Sequence, residues 1–195
     1  MTKKTPLLLV VMGVSSSGKT TLAKALGNAL GLRMMDGDDL HSEQSVRKMK
    51  AGIALDDEDR WPWLDRIAQY LTTSTEPSSL DAGKVVACSA LKRAYRDRIR
   101  QSLRTVHFIF LDGDSELIRS RMASRQGHFM QLELLDSQLR TLERPGLDEK
   151  DVICVDTTLA VEALVAQVTA ALKNSLDNSL DNSLGTTVVS HLQPH

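Results

Sequence analysis

Two cysteines in 195 residues, with no Cys-x-x-Cys spacing, leave no framework for a disulfide-stapled or zinc-organised fold. Cys88 and Cys154 each end an apolar run, which predicts two small buried side chains in a reducing, cytoplasmic setting. Charge of one sign is also missing. The 24 Lys and Arg against 25 Asp and Glu give a formal net charge of −1, without the basic excess of a nucleic-acid-binding surface. No apolar run approaches the ~20 residues needed to span a bilayer, so no membrane segment is expected. The short run at 7–12 follows Lys3 and Lys4 as a secretory leader would, but no cleavage site intervenes, and it reads as a first strand. No Asn-Lys-x-Asp guanine-reading motif occurs, which weighs against a GTPase. The strand at 85–88 does not end in Asp, so the metal and water-activating carboxylates of an ATPase are not in their usual place. One domain of this length leaves no room for helicase or motor machinery.

What is present begins at Gly13-Val14-Ser15-Ser16-Ser17-Gly18-Lys19-Thr20, a full match to the phosphate-binding loop pattern G-x-x-x-x-G-K-[ST]. The apolar run before it suits a buried parallel strand. Leu22, Ala23, Leu26, Ala29 and Leu30 then recur at helical spacing, and Gly31 is placed to end that helix. A loop between a strand and a helix N-terminus presents unpaired N–H groups and the positive end of the helix dipole to a polyphosphate. Residues 13–20, with Thr21 behind them, are therefore the expected nucleotide site. Lys19 would reach the β- and γ-phosphates, and the Thr20 hydroxyl would ligate Mg²⁺.

Further strands are expected at 32–35, 84–89, 106–111 and 152–155. Helices are expected at 42–51, 57–72 (with Pro62 in its first turn), 92–103, after the Asp112-Gly113-Asp114 turn through about 124, and at 160–173, with a surface connection at 72–83. Strands alternating with helices predict an α/β fold, a three-layer α/β/α sandwich with a mostly parallel sheet and right-handed crossovers. Ligands then gather at the carboxyl ends of the strands. The domain is expected over 1–173. After Lys173 a four-residue Asn-Ser-Leu-Asp repeat predicts an irregular, dispensable tail over 174–195.

Phosphoryl transfer to an alcohol needs a carboxylate to orient or deprotonate the hydroxyl, and often another on the metal side. Asp36-Gly37-Asp38-Asp39, just after the second strand, offers both. Cations should screen the transferring group. Arg119, Arg121, Arg125 and His128 flank Gln126-Gly127, which suits a mobile lid over about 122–136.

The combination of this loop with Asp36-Gly37-Asp38-Asp39-Leu40-His41, Lys48-Met49, Asp59-Arg60, Pro62-Trp63-Leu64, Cys88-Ser89-Ala90-Leu91-Lys92 and Ser137-Gln138 resembles the gluconokinases. These are small phosphate-loop sugar-acid kinases related to shikimate and nucleoside-monophosphate kinases. The resemblance covers about residues 7–165. It implies ATP-dependent phosphorylation of D-gluconate at its 6-hydroxyl, Mg²⁺, and a homodimer serving gluconate catabolism. It makes Lys19, Asp38 and Arg125 the catalytic set, with Asp38 on the attacking hydroxyl and Asp36 beside Thr20 on the metal. Asp38, His41, Lys48, Arg60, Ser89, Lys92 and His128 are then the candidates for gluconate, Arg60 foremost as a bidentate carboxylate clamp. Arg121 is the candidate on the adenine side, and Trp61 and Trp63 are read as packing. Ser16 stands where the family usually has glycine. A kinase for another small acid and a nucleotide-gated binding module, docking through its tail, are the alternatives left open.

Overall fold

The computed structural model describes residues 5–73, 83–103, 105–124 and 128–185, with backbone alone at 128–132 and 176–185. Five strands, β1 (Leu7–Met12), β2 (Arg33–Asp36), β3 (Gly83–Ala87), β4 (His107–Asp112) and β5 (Val152–Asp156), pair in the order β2-β3-β1-β4-β5. Every pairing is parallel, so all five carboxyl ends lie along one edge. The helices are α1 (Lys19–Leu30), α2 (Glu43–Lys50), α3 (Asp57–Thr72), α4 (Arg93–Gln101), α5 (Ser115–Ala123), α6 (His128–Thr141) and α7 (Val161–Gly185). A 3₁₀ turn spans Gly37–Leu40.

The period of two along each strand divides the core between two faces. Leu9, Val11, Val85, Ala87, Ile109 and Leu111 point toward α1 and α7, where Leu22, Leu26, Leu164 and Val168 meet them. Val10, Met12, Val86, Phe108 and Phe110 point the other way, onto Trp63, Leu64 and Ile67 of α3 and Tyr95 and Ile99 of α4. A third cluster joins Val14 of the phosphate loop to Leu91, Ile118, Met122 and Leu135, and so seats α5 and α6 beside that loop.

Several boundaries differ from expectation for physical reasons. Pro62 is the sixth residue of α3, past the first turn. It forfeits one backbone bond, which the capping box of Asp56 and Asp59 and the buried Trp63, Leu64 and Ile67 offset. Cys88 is buried as expected, but Cys154 is exposed because β5 is an edge strand. The last helix does not stop at Lys173: α7 continues through three repeat units to Gly185. A four-residue repeat is close enough to the helical period to be carried by a helix already nucleated on the core. The remainder of the tail, residues 186–195, and most of the 72–83 connection lie outside the described residues.

The stretch after α6 is strapped to α4 by charge. Arg96, 1 % exposed, donates from Nε and Nη2 to both carboxylate oxygens of Glu149 at 2.7 and 2.6 Å. Its Nη1 faces the carbonyls of Ala90, Leu91 and Glu143. Arg100 adds bonds to Glu149 and Asp151. Donation from Arg96, reinforced by Arg100, holds the Glu149 carboxyl down at about 2. Glu149→Gln leaves a buried guanidinium without its counter-charge, and the expected cost is about 3–5 kcal/mol. The folded pKa is depressed, so the Glu149 contribution is complete above the ordinary 4.5 and is lost as pH falls toward 2. Denaturant melts across pH should show that slope in the wild type and not in the variant. An unchanged midpoint for Glu149→Gln at pH 7 would contradict the assignment.

Candidate active site

The loop after β1 takes up three left-handed backbone angles, at Gly13 (φ +145°), Ser16 (+61°) and Gly18 (+102°). A Cβ at Gly13 would stand 3.0 Å from the Ser17 hydroxyl and 3.2 Å from the Leu111 carbonyl, so glycine is required by space as well as by angle. Beside Gly18 there is open space, on the side where the first-turn N–H groups of α1 emerge. The Gly13 N–H donates to the Ser89 carbonyl at 3.3 Å, joining the loop to the turn after β3. Lys19 Nζ lies back along the loop and donates to the Val14 carbonyl at 2.9 Å.

Thr20 and Asp36 meet directly, the Thr20 hydroxyl donating to Asp36 Oδ2 at 2.9 Å. The other oxygen, Oδ1, accepts from the Asp38 N–H at 3.2 Å and starts the 3₁₀ turn. Gly37 makes this turn possible: a Cβ there would approach the Ala87 carbonyl to 2.5 Å. Two side chains of α3 clamp the turn. Trp63 Nε1 donates to the Gly37 carbonyl at 2.7 Å, and Arg66 Nε to the Leu40 carbonyl at 2.6 Å. Trp63 is thus a packing and positioning residue, as expected. The Asp38 side chain is 84 % accessible. Local desolvation and the Asp36 and Asp39 carboxylates raise its pKa above the ordinary value, against the pull of Lys19.

His41 stacks on Trp63, with ring centroids 4.4 Å apart and 10° between planes. Its Nε2 lies 4.0 Å from Asp38 Oδ1, and its Nδ1 is buried without a hydrogen-bond partner among the described residues. Burial, then the positive charges of Arg66 and Arg60, lower its pKa to about 4. His41 is therefore neutral at pH 7 and offers hydrogen bonds, not charge.

The other cations cluster at the start of α3. Lys92 donates to both oxygens of Asp57 at 2.8 Å, and the Tyr95 hydroxyl donates to the same carboxylate. Arg60 Nη1 reaches the Tyr95 hydroxyl at 3.3 Å and lies 3.9 Å from Asp57. Lys48 is committed more firmly, to Asp59 at 2.8 and 2.6 Å. Arg60, Lys92 and Lys48 thus come together, already interleaved with carboxylates. Sequence reasoning gave Asp57, Asp59 and Tyr95 no role in the site. The acidic run Asp56-Asp57-Glu58-Asp59 was a visible signal, but it also suits a helix N-terminus and says nothing of lysine partners.

On the opposite side of the loop lies a cavity of about 300 Å³, lined by Ser16, Gly18, Thr21, Arg121, Thr157 and Leu159 among others. Arg121 Nη2 donates to the Thr157 carbonyl at 2.7 Å, which sets it in the wall of this cavity. The hydroxyls of Ser17 and Thr157 are buried there without partners among the described residues, a donor set suited to a nucleotide. Thr157 and Leu159 were not foreseen, although their place after β5 puts them on the ligand-binding edge. Arg119 turns away and pairs with Asp136 at 2.5 Å, tying α5 to α6. Arg125 and the side chain of His128 lie outside the described residues.

A family model described as an AAA domain matches residues 8–145. The chain is 44 % identical over 149 residues to the thermosensitive gluconokinase of Escherichia coli strain K12, covering 75 % of this chain and 77 % of that one. The solved gluconokinase of Sinorhizobium meliloti 1021 superposes with a TM-score of 0.80 at 41 % identity, over 93 % of this chain and 99 % of that one. The chain belongs to the gluconokinase family. Shikimate kinase from Aquifex aeolicus, at 12 % identity and a TM-score of 0.53, shares the fold alone. Gluconokinase membership makes this chain a kinase.

The stacked geometry makes one measurable demand. In an NMR titration the His41 ring should titrate near pH 4, well below the ordinary 6.5. Removal of its partner by Trp63→Leu should move it upward, as the ring gains water. A wild-type midpoint near 6.5 would show that His41 is neither buried nor stacked in solution.

Proposed function

We propose that this chain transfers the γ-phosphoryl group of ATP to the 6-hydroxyl of D-gluconate, giving 6-phospho-D-gluconate and ADP. The observation that carries the reading is the position of Asp38. Its turn is joined to the phosphate loop by the Thr20–Asp36 bond, and its carboxylate lies 4.0 Å from His41, which stacks on Trp63 of α3, the helix whose head carries the Arg60–Lys92 cluster. This supports reading Asp38 as the base-side carboxylate between a phosphate site and a rim able to hold an anionic polyol. Arg60, with the planar fork suited to a carboxylate, takes the acid end. Lys92 and Lys48 re-pair from Asp57 and Asp59 toward the substrate. Neutral His41 and Ser89 serve the hydroxyls, and His41 Nδ1 is a buried group in need of such a partner.

In the transfer, a lone pair on O6 attacks the γ-phosphorus while the bond to the β–γ bridging oxygen breaks. The O6 proton passes to Asp38, and ADP leaves with the bond's electron pair. Lys19 swings from the Val14 carbonyl to the β- and γ-oxygens, where its charge offsets what builds up on them. The loop N–H groups and the α1 dipole hold the phosphates. Among the described residues no group of three or more His, Cys, Asp or Glu forms a metal site alone. Mg²⁺ would be held by the Thr20 hydroxyl and the Asp36 side with the phosphates themselves, and supplies charge neutralisation when bound. The segment 122–136 is read as the lid that excludes water, with Arg125 and His128 as its cationic contribution. A homodimer in the cytoplasm completes the reading.

ADP release with Mg·ATP should be strong with D-gluconate and weak with L-idonate, shikimate, glycerate and nucleoside monophosphates. Asp38→Asn should lower kcat by about 10²–10⁴-fold while nucleotide affinity stays within about twofold. Arg60→Lys should raise KM for gluconate by about tenfold or more with a smaller change in kcat, since a fork is replaced by a point charge. Nucleotide binding without turnover on any acceptor would contradict the reading.

A further inference from the structure

The phosphate loop is pinned by one side chain from a distant part of the chain. The Ser15 N–H donates to the Gln138 side-chain oxygen at 2.6 Å, across 123 residues of sequence. Gln138 sits on α6, one helical turn from Leu135, which is fully buried against Val14, Leu91, Ile118 and Met122. Leu139 and Leu142 pack on the same cluster. The apolar contact thus places the Gln138 amide over the loop, and its carbonyl oxygen is the acceptor that the Ser15 N–H needs.

The next residue gives this bond a purpose. Ser16 holds φ +61°, a left-handed angle that a residue with a Cβ adopts at a cost. Other loop contacts include the Gly13 N–H on Ser89 and the Ser17 N–H and Lys19 ammonium on the Val14 carbonyl. The last two hold the Val14–Ser15 peptide from within the loop, and only the Ser15–Gln138 bond among these ties that peptide to α6. Without Gln138 the peptide keeps its bonds inside the loop but loses its outside anchor, and Ser16 can relax out of the left-handed region and misaim the N–H groups that follow.

We infer that Gln138 is a positioning residue for the nucleotide, holding the phosphate loop in the strained shape that Ser16 would otherwise leave. The role couples the seating of α6 to the ability of the loop to receive phosphate. It rests on the nucleotide-binding part of the proposed function and not on the identity of the acceptor. Gln138→Met keeps the volume and removes the acceptor, and Ser16→Gly removes the strain.

The test is a double-mutant cycle read by calorimetric titration with a non-hydrolysable Mg·ATP analogue, with thermal melts alongside. In the Ser16 background, Gln138→Met should weaken binding about fivefold, by raising the population of the relaxed loop, with little change in the melting temperature. In the Ser16→Gly background the same change should weaken binding less than twofold. KM for gluconate should move less than KM for ATP in both. Equal losses in the two backgrounds, or no loss in either, would overturn the inference while leaving nucleotide binding intact. Failure of the wild type to bind the analogue would overturn the nucleotide reading itself, and this inference with it.

Discussion

A sheet whose strands all run one way imposes a single constraint from which the rest of the molecule follows. Its five carboxyl ends form one edge, and α1 begins at that edge with no side-chain cap and with the positive end of its dipole there. A polyphosphate is the natural partner for such a terminus. β1 occupies the centre of the sheet, so the loop is flanked on one side by the turns after β3 and β2 and on the other by those after β4 and β5. The first pair supplies Ser89, Asp36 and Asp38. The second supplies Arg121 and Thr157. The two sides proposed for acceptor chemistry and for nucleotide recognition thus flank one loop because of strand order.

What holds the acceptor side in place is mostly α3. Its N-terminus gathers Lys48, Lys92 and Arg60 around Asp57 and Asp59, while one turn further on Trp63 and Arg66 fasten the Gly37–Leu40 turn that carries Asp38. The same Trp63 is core, 2 % exposed, and the surface against which His41 is kept neutral. Packing and electrostatics are therefore not separable here. A change at Trp63 alters the backbone of the acidic turn, the charge of His41 and the α3 face of the core together. The Arg96–Glu149 strap plays the corresponding part for the turn after β3, where Ala90 stands at φ +40° with its carbonyl held by Arg96.

The sequence carried the parts of this account that depend on local pattern. The phosphate loop, the period of the strands, the helix stop at Gly31 and the helix over 57–72 each rest on neighbours within a few residues, and each appears in the structure. Asp36 and Thr20 were paired from chemistry, and their side chains do touch. Less legible were properties set by contacts distant in sequence. The neutrality of His41 depends on Trp63 and on two arginines that only the fold brings near. The bond from Gln138 to Ser15 closes 123 residues and has no local signature. Cys154 misled because an apolar run does not announce that its strand lies at an edge, and the helical continuation of α7 because a period of four is ambiguous by itself.

The central claim is that Asp38 receives the proton of the attacking hydroxyl while the gluconate carboxylate is held at the head of α3. A structure of the chain with a non-hydrolysable ATP analogue, Mg²⁺ and D-gluconate tests it most directly. The account predicts O6 within hydrogen-bond distance of an Asp38 carboxylate oxygen and in line with the γ-phosphorus, and the gluconate carboxylate on Arg60. Gluconate bound in the opposite sense, or an O6 whose nearest carboxylate is not Asp38, would contradict it.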